Sequence, residues 1–317
     1  MLSLTPFEIP TYLLALCRRL PAVTTAIAVA DDMLVLKGAY SASKEALINP
    51  VLVGDQLEIK HLARQIGWNL KGVRVVNANN EQKAVETSAI LAKNNEVSAI
   101  MKGQVHTDTL MTAILKSKNG LRIGRRISHV FHMTLPKKDK VLMITDGAVN
   151  VAPNYETKID IIKNAIELAH ALGNKQPNVA ILSGTETPIA SMPSSIDAAL
   201  ISNTFKEDNF MGASIYGPLA FDNAISPAAA KLKKLSTPVA GNADILVVPN
   251  IETGNSLFKM MVYFMSAIAA GIVIGAKVPI MLTSRGDPLE ARIASAALSA
   301  IMVNYLSQSN IVKSPQC

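Results

Sequence analysis

Cysteine is nearly missing. Cys17 and Cys317 are the only two among 317 residues, one near each end, which excludes a disulfide framework and a cysteine metal site. A reducing, cytoplasmic setting is the expectation. Aromatic residues are also scarce, at 4%, and basic residues cluster only in pairs such as Arg18-Arg19, Arg125-Arg126, Lys137-Lys138 and Lys233-Lys234. Without stacking platforms or a long basic tract, the net charge of +7 reads as a cleft that concentrates small polyanions, not as a nucleic-acid surface. The five histidines show no HExxH or comparable spacing, so no metal is expected. No basic region precedes the first apolar stretch, and Pro6 and Pro10 interrupt it, so a secretory signal is not expected either. The uncharged tract Met260–Ala276 falls short of the roughly 20 apolar residues a bilayer requires. It reads as a buried helix, a turn at Gly271 and a short strand over Ile272–Ile274, with no membrane partner.

What the sequence does contain is alternation. At 49% hydrophobic, the chain can bury a large core, and its length suits two domains. Apolar runs of strand length recur at 26–30, 51–54, 73–76, 99–101, 129–133, 141–144, 179–182, 213–216, 245–248 and 279–282. Between them lie stretches with apolar residues at three and four spacing, among them 81–93, 109–116, 156–171, 222–234 and 288–306. Strands apolar on both faces, separated by helices, predict an α/β fold of parallel sheets covered by helices.

In such sheets ligands gather beyond the carboxyl ends of the strands. The last such loop, TSRGDPLEAR, brings the Ser284 hydroxyl, the Arg285 guanidinium and the N–H groups of a following helix to one place, an anion site in outline. There Asp287 is positioned either to cap the helix or to act on a ligand. In IETGNSLFKMM, Thr253, Gly254 and Asn255 stand just before a long helix and Lys259 one turn in, a set suited to a phosphate group or equally to a capped helix start. ITDGAVNVAP offers Asp146 with Asn150 a turn later, as an orienting carboxylate or a cap. MKGQVHTDTL offers Lys102, Gly103 and His106, the histidine reading either as catalytic or as a polar filler at a helix start.

Taken in order, MKGQVHT, GLRIGRRISHVF, VLMITDGAVNVAP, NVAILSGTE, YGPLAFDNAIS, NADILVVPNIETGN and VPIMLTSRGDP resemble the phosphate acetyltransferase/phosphate butyryltransferase (phosphotransacylase) family, over roughly Ser98 to Ala300. The stretch ITDGAVNVAPNYETKIDII looks closer to the butyryltransferases. The resemblance implies two α/β/α domains of isocitrate/isopropylmalate dehydrogenase-like type, the second inserted in the first: residues 1–134 with 270–317, and 135–269. It further implies an active site in the cleft between them, a homodimer, and exchange of a short acyl group between coenzyme A and inorganic phosphate with no metal or tightly bound cofactor. The family's catalytic serine and arginine fall on Ser284 and Arg285. The aspartate base of acetyltransferases falls on Ala291, so its role passes to Asp287 or Glu290, with Asp287 preferred. Lys102, Gly103, Asp146, Thr253, Gly254, Asn255 and Lys259 form the expected substrate-binding set. Two other readings compete: a non-catalytic acyl-CoA- or phosphate-binding homologue, and an NAD(P)-dependent dehydrogenase of similar fold. The dehydrogenase would need a cluster of aspartates for its divalent cation.

Overall fold

The apolar runs form strands and the segments between them form helices. The computed structural model describes residues 3–116, 120–136, 141–206, 210–284 and 286–313. In chain order come α1 (Thr11–Cys17), β1 (Val23–Ala28), α2 (Met33–Lys44), β2 (Ile48–Gly54), α3 (Gln56–Gln65), β3 (Arg74–Asn77), α4 (Glu81–Lys93), β4 (Ala99–Lys102) and α5 (Thr107–Leu115). Next are β5 (Ser128–Thr134), β6 (Val141–Thr145), α6 (Tyr155–Ala171), β7 (Asn178–Leu182), α7 (Pro193–Thr204), β8 (Ser214–Leu219), α8 (Phe221–Ile225), α9 (Pro227–Leu232), β9 (Ile245–Val247) and α10 (Ile251–Met265). The chain closes with β10 (Ile268–Ile274), β11 (Ile280–Met281) and α11 (Leu289–Lys313).

Two compact α/β/α units result: a flanking unit of Phe7–Arg125 with Ala270–Cys317, and a central unit of Arg126–Ala269 with Met1–Pro6. In the flanking unit the strand order is β3-β2-β1-β4-β11-β10, parallel except for the antiparallel pair β10/β11. Asp32, Asp55 and Asn80 accept first-turn N–H groups and so cap α2, α3 and α4. The central unit runs β5-β6-β9-β7-β8, parallel except for β5 against β6. Its core gathers Phe131, Met133, Ile144, Leu182, Leu246 and Phe258.

Several local expectations change. The division between units falls after Arg125, ahead of the cut expected at Thr134, because β5 pairs with β6 from Val130 opposite Thr145 to Thr134 opposite Val141. The first residues join the central unit, where Ser3 N–H donates to Tyr263 O and the Ser266 hydroxyl to Thr5 O. Gly271 does not break the tract after α10. That helix ends at Ser266, whose φ of 50° is left-handed, and the strand then runs straight through Gly271, every residue buried. The helix expected over 222–234 is two short ones, since Pro227 has no N–H to continue α8 and Ser226 caps α9 instead. Among the described residues no helix is long and apolar enough to cross a membrane.

Candidate active site

Within the flanking unit, β4 and β11 are parallel neighbours with Met101 opposite Met281, so Lys102-Gly103 and Leu282-Thr283-Ser284 leave the sheet at the same end. Lys102 is buried, its Nζ 3.5 Å from Gly103 O. Close packing requires a glycine at Gly103: a Cβ there would lie 2.1 Å from Val29 O and 2.3 Å from Ala28 O. His106 is exposed at the N-cap position of α5, and its ring makes no capping bond.

Past β11 the backbone of Ser284 is held on both sides. Its N–H donates to the Asp287 carboxylate at 2.5 Å, and Asp287 N–H donates back to Ser284 O at 3.2 Å. The Arg292 guanidinium donates to Ser284 O and to the Thr283 hydroxyl, each at 3.1 Å. Thr283 and Arg292 are buried, whereas Ser284 is exposed and its Oγ accepts Gly286 N–H at 3.4 Å. Burial pushes the Arg292 pKa down, and the charges of Asp287 and then Asp32 oppose that shift. Asp287 stands two residues ahead of α11, which begins at Leu289, and its carboxylate closes the Ser284 turn. Ala291 is 1% exposed and Glu290 half-buried, so the inward position in this turn of α11 carries no carboxylate. Arg285 lies outside the described residues.

In the central unit Asp146 follows β6 and is 1% exposed. Its carboxylate accepts the backbone N–H groups of His129, Ala148, Val149 and Asn150 at 2.9–3.2 Å, and the Asn150 amide at 2.7 Å. Five donors fill the acceptor sites of one carboxylate, so Asp146 organises its loop. Asn150 also donates to Ile127 O at 2.8 Å. Helix α10 starts earlier than expected. Asn250 is extended, at φ −155°, and its Oδ1 takes both the Thr253 N–H at 3.0 Å and the Thr253 hydroxyl at 2.6 Å, which places Thr253, Gly254 and Asn255 inside the first turns. A Cβ on Gly254 would meet Gly147 Cα at 2.8 Å and Asp146 O at 2.9 Å, so helix and loop touch backbone to backbone. Below them the Phe131 ring lies under Gly147 and stacks on Phe258 with centroids 3.8 Å apart. Asn255 Nδ2 reaches Gly147 O at 3.5 Å, and Lys259 is exposed.

Sequence reasoning missed Arg292 and Asn250. A lone arginine inside the apolar run after Glu290 was the available signal for the first, and the Asn-x-x-Thr spacing for the second.

Each unit is thus an α/β/α layer with polar strand-end loops, an exposed serine on a pinned backbone in the one and a buried carboxylate in the other. A model of the phosphate acetyl/butaryl transferase family matches residues 82–300. The phosphate acetyltransferase of Rickettsia typhi is 45% identical over 90% of this chain and 82% of its own length. The phosphate butyryltransferase of Clostridium acetobutylicum is 38% identical over 87% of this chain and 92% of its own. The crystal structure of a branched-chain phosphotransacylase from Enterococcus faecalis superposes with a TM-score of 0.77 at 33% identity, covering 89% of this chain and 99% of the other. The chain belongs to the phosphate acetyl/butyryl transferase family and is an acyltransferase. Membership does not favour the dehydrogenase or the non-catalytic binding protein. The likeness to butyryltransferases seen in one stretch is not matched along the chain, where identity with the Rickettsia acetyltransferase is the higher of the two.

Proposed function

We propose that this enzyme interconverts a short-chain acyl-CoA plus inorganic phosphate with an acyl phosphate plus free coenzyme A. Toward acyl phosphate, a phosphate oxygen attacks the thioester carbonyl; the C–O bond forms, the C–S bond breaks, and the departing sulfur takes up one proton. In reverse the thiol, with an unperturbed pKa of about 8.5, must first give that proton to a base, because the thiolate is the nucleophile. Both reacting groups arrive on the substrates, so no resident metal or cofactor is assigned.

Ser284 donates to the carbonyl oxygen as it becomes an oxyanion, a contact of a kind that lowers a barrier by roughly 3–4 kcal/mol. Arg285 holds the phosphate or the same oxyanion, and Asp287, beside Ser284, takes the thiol proton. Lys102, Asn255 and Lys259 bind the anionic substrates, while Gly103, Asp146, Thr253 and Gly254 shape the loops that present them. The observation that carries this reading is the exposed Ser284 hydroxyl on a backbone hydrogen-bonded at both its N–H and its C=O.

The decisive measurement is release of free thiol from acetyl-, propionyl- and butyryl-CoA in parallel, with and without phosphate. Release that requires phosphate is expected, and the fastest substrate defines the acyl chain; phosphate-independent release, or none, defeats the proposal. A homodimer is also inferred. Phe221, Met260, Tyr263, Phe264 and Met265 leave an exposed apolar surface beside a cavity of about 310 Å³ in the central unit, of a kind that association covers. Sedimentation equilibrium showing a monomer at micromolar concentration would remove that inference. A cytoplasmic location accords with the scarcity of cysteine and with Cys17, whose thiol is pushed up to about 11 by burial and stays unreactive.

A further inference from the structure

Arg292 stands on the first turns of α11, where the residues that follow it, from Ile293 to Ile301, are buried and uncharged. A side chain needed only to fill space there would be apolar, since taking a guanidinium out of water is unfavourable unless good partners meet it. The slot is cut for this one. On α2, Gly38 leaves room for the arginine stem, a Cβ there falling 3.1 Å from Arg292 Cδ. The stem ends in a fork whose two terminal nitrogens reach two acceptors on consecutive residues at the end of β11, Thr283 Oγ1 and Ser284 O. A planar fork with fixed donor directions sets both position and angle, which a lysine ammonium does not. On the other side of the same residue, Ser284 N–H goes to Asp287. Ser284 is therefore oriented through its backbone, and its hydroxyl is left exposed.

We infer that Arg292 is a positioning residue, which acts through Ser284 by fixing the serine backbone so that its hydroxyl meets the reacting carbonyl. The inference rests on the reading of Ser284 as the oxyanion donor. Because that contact forms in the transition state, loss of the positioning residue falls on kcat and not on substrate affinity.

The test is a double-mutant cycle on phosphate-dependent thiol release, with Ser284→Ala, Arg292→Met and the pair. Arg292→Met is expected to lower kcat about 30-fold with KM for phosphate and acyl-CoA changed less than about threefold. Once Ser284 is already alanine, the same change is expected to lower kcat by less than about threefold, because the group it positions is gone. Losses that multiply in the pair, or a fall in kcat/KM carried by KM, would overturn the inference. Should circular dichroism show that Arg292→Met does not fold, Arg292→Lys carries the cycle: it keeps the charge and one of the two bonds, and an intermediate loss that vanishes beside Ser284→Ala is required. The two readings fail separately. A wild type without phosphate-dependent release defeats the function, whereas an active wild type slowed by Ser284→Ala but not by either Arg292 variant defeats only this assignment.

Discussion

Two loops, one in each unit, use a carboxylate to collect backbone N–H groups, and they do so to opposite ends. In the central unit Asp146 is buried with five donors on it, and Gly147 lies against Gly254 with no room for a methyl group between. In the flanking unit Asp287 takes the N–H of exposed Ser284 and a buried arginine takes its carbonyl, so the serine is held by its backbone while its side chain stands exposed. The contrast separates two properties that polar strand-end residues share by sequence. One loop is a fixed support, in which a lost contact is felt by the packing around it; the other is an exposed group on a fixed support, in which a lost side chain leaves that packing intact.

The largest effect expected from this contrast is at its glycines. Gly254→Ala forces a Cβ within 3.0 Å of two backbone atoms, which cannot yield as a flexible side chain would, and should cost roughly 4 kcal/mol in urea unfolding. Gly286→Ala enters open space and should stay within about 0.5 kcal/mol. Equal losses at the two positions would break the comparison. A somewhat smaller effect belongs to pH. Burial pushes the His132 pKa in the central unit down to about 4, against 6.5 unperturbed. Between those values the unfolded chain binds a proton that the native protein refuses, so stability present above pH 6.5 falls as the pH falls through this window, by about 3 kcal/mol once pH 4 is passed. Urea midpoints at pH 7 and pH 4.5 should converge in His132→Gln relative to wild type. If the variant remains as acid-sensitive, the source lies elsewhere.

Much of the fold was legible because its signals are local. Apolar runs bounded by turns place the strands, and three-and-four spacing places α4 at 81–93 to the residue. What escaped depends on distant partners. The sequence offers Gly103 and Gly254 as members of a substrate-binding set but not the reason each is a glycine, which is another stretch of backbone, at Val29 and at Gly147, that only the tertiary fold brings close. The start of β10 escaped because a serine in left-handed conformation ends α10 where no glycine announces it. Pro227 was a legible break that the apolar periodicity around it overrode. At the site, Ser284 and Asp287 stand in a strand-end loop to which sequence reading points, whereas Arg292 was missed, because its two acceptors are a hydroxyl and a carbonyl oxygen that no spacing rule connects to a helix interior.

The smallest effect concerns how α10 begins. Asn250 Oδ1 holds the Thr253 N–H and the Thr253 hydroxyl, so Asn250→Ala removes one acceptor from two donors. Both donors are only half-buried, and water can replace the lost acceptor, which keeps the expected loss near the usual value for an N-cap, about 1 kcal/mol. Asn250→Asp keeps the acceptor, adds a negative charge at the positive end of the helix, and should restore that loss in full. The pair decides what holds the first turn of α10 in place. If Asn250→Ala is as damaging as Gly254→Ala, the cap and the glycine contact act as one unit. If it is harmless, the backbone contact between Gly147 and Gly254 positions the helix without its cap, and the hydrogen bonds that matter in the central unit are those on Asp146.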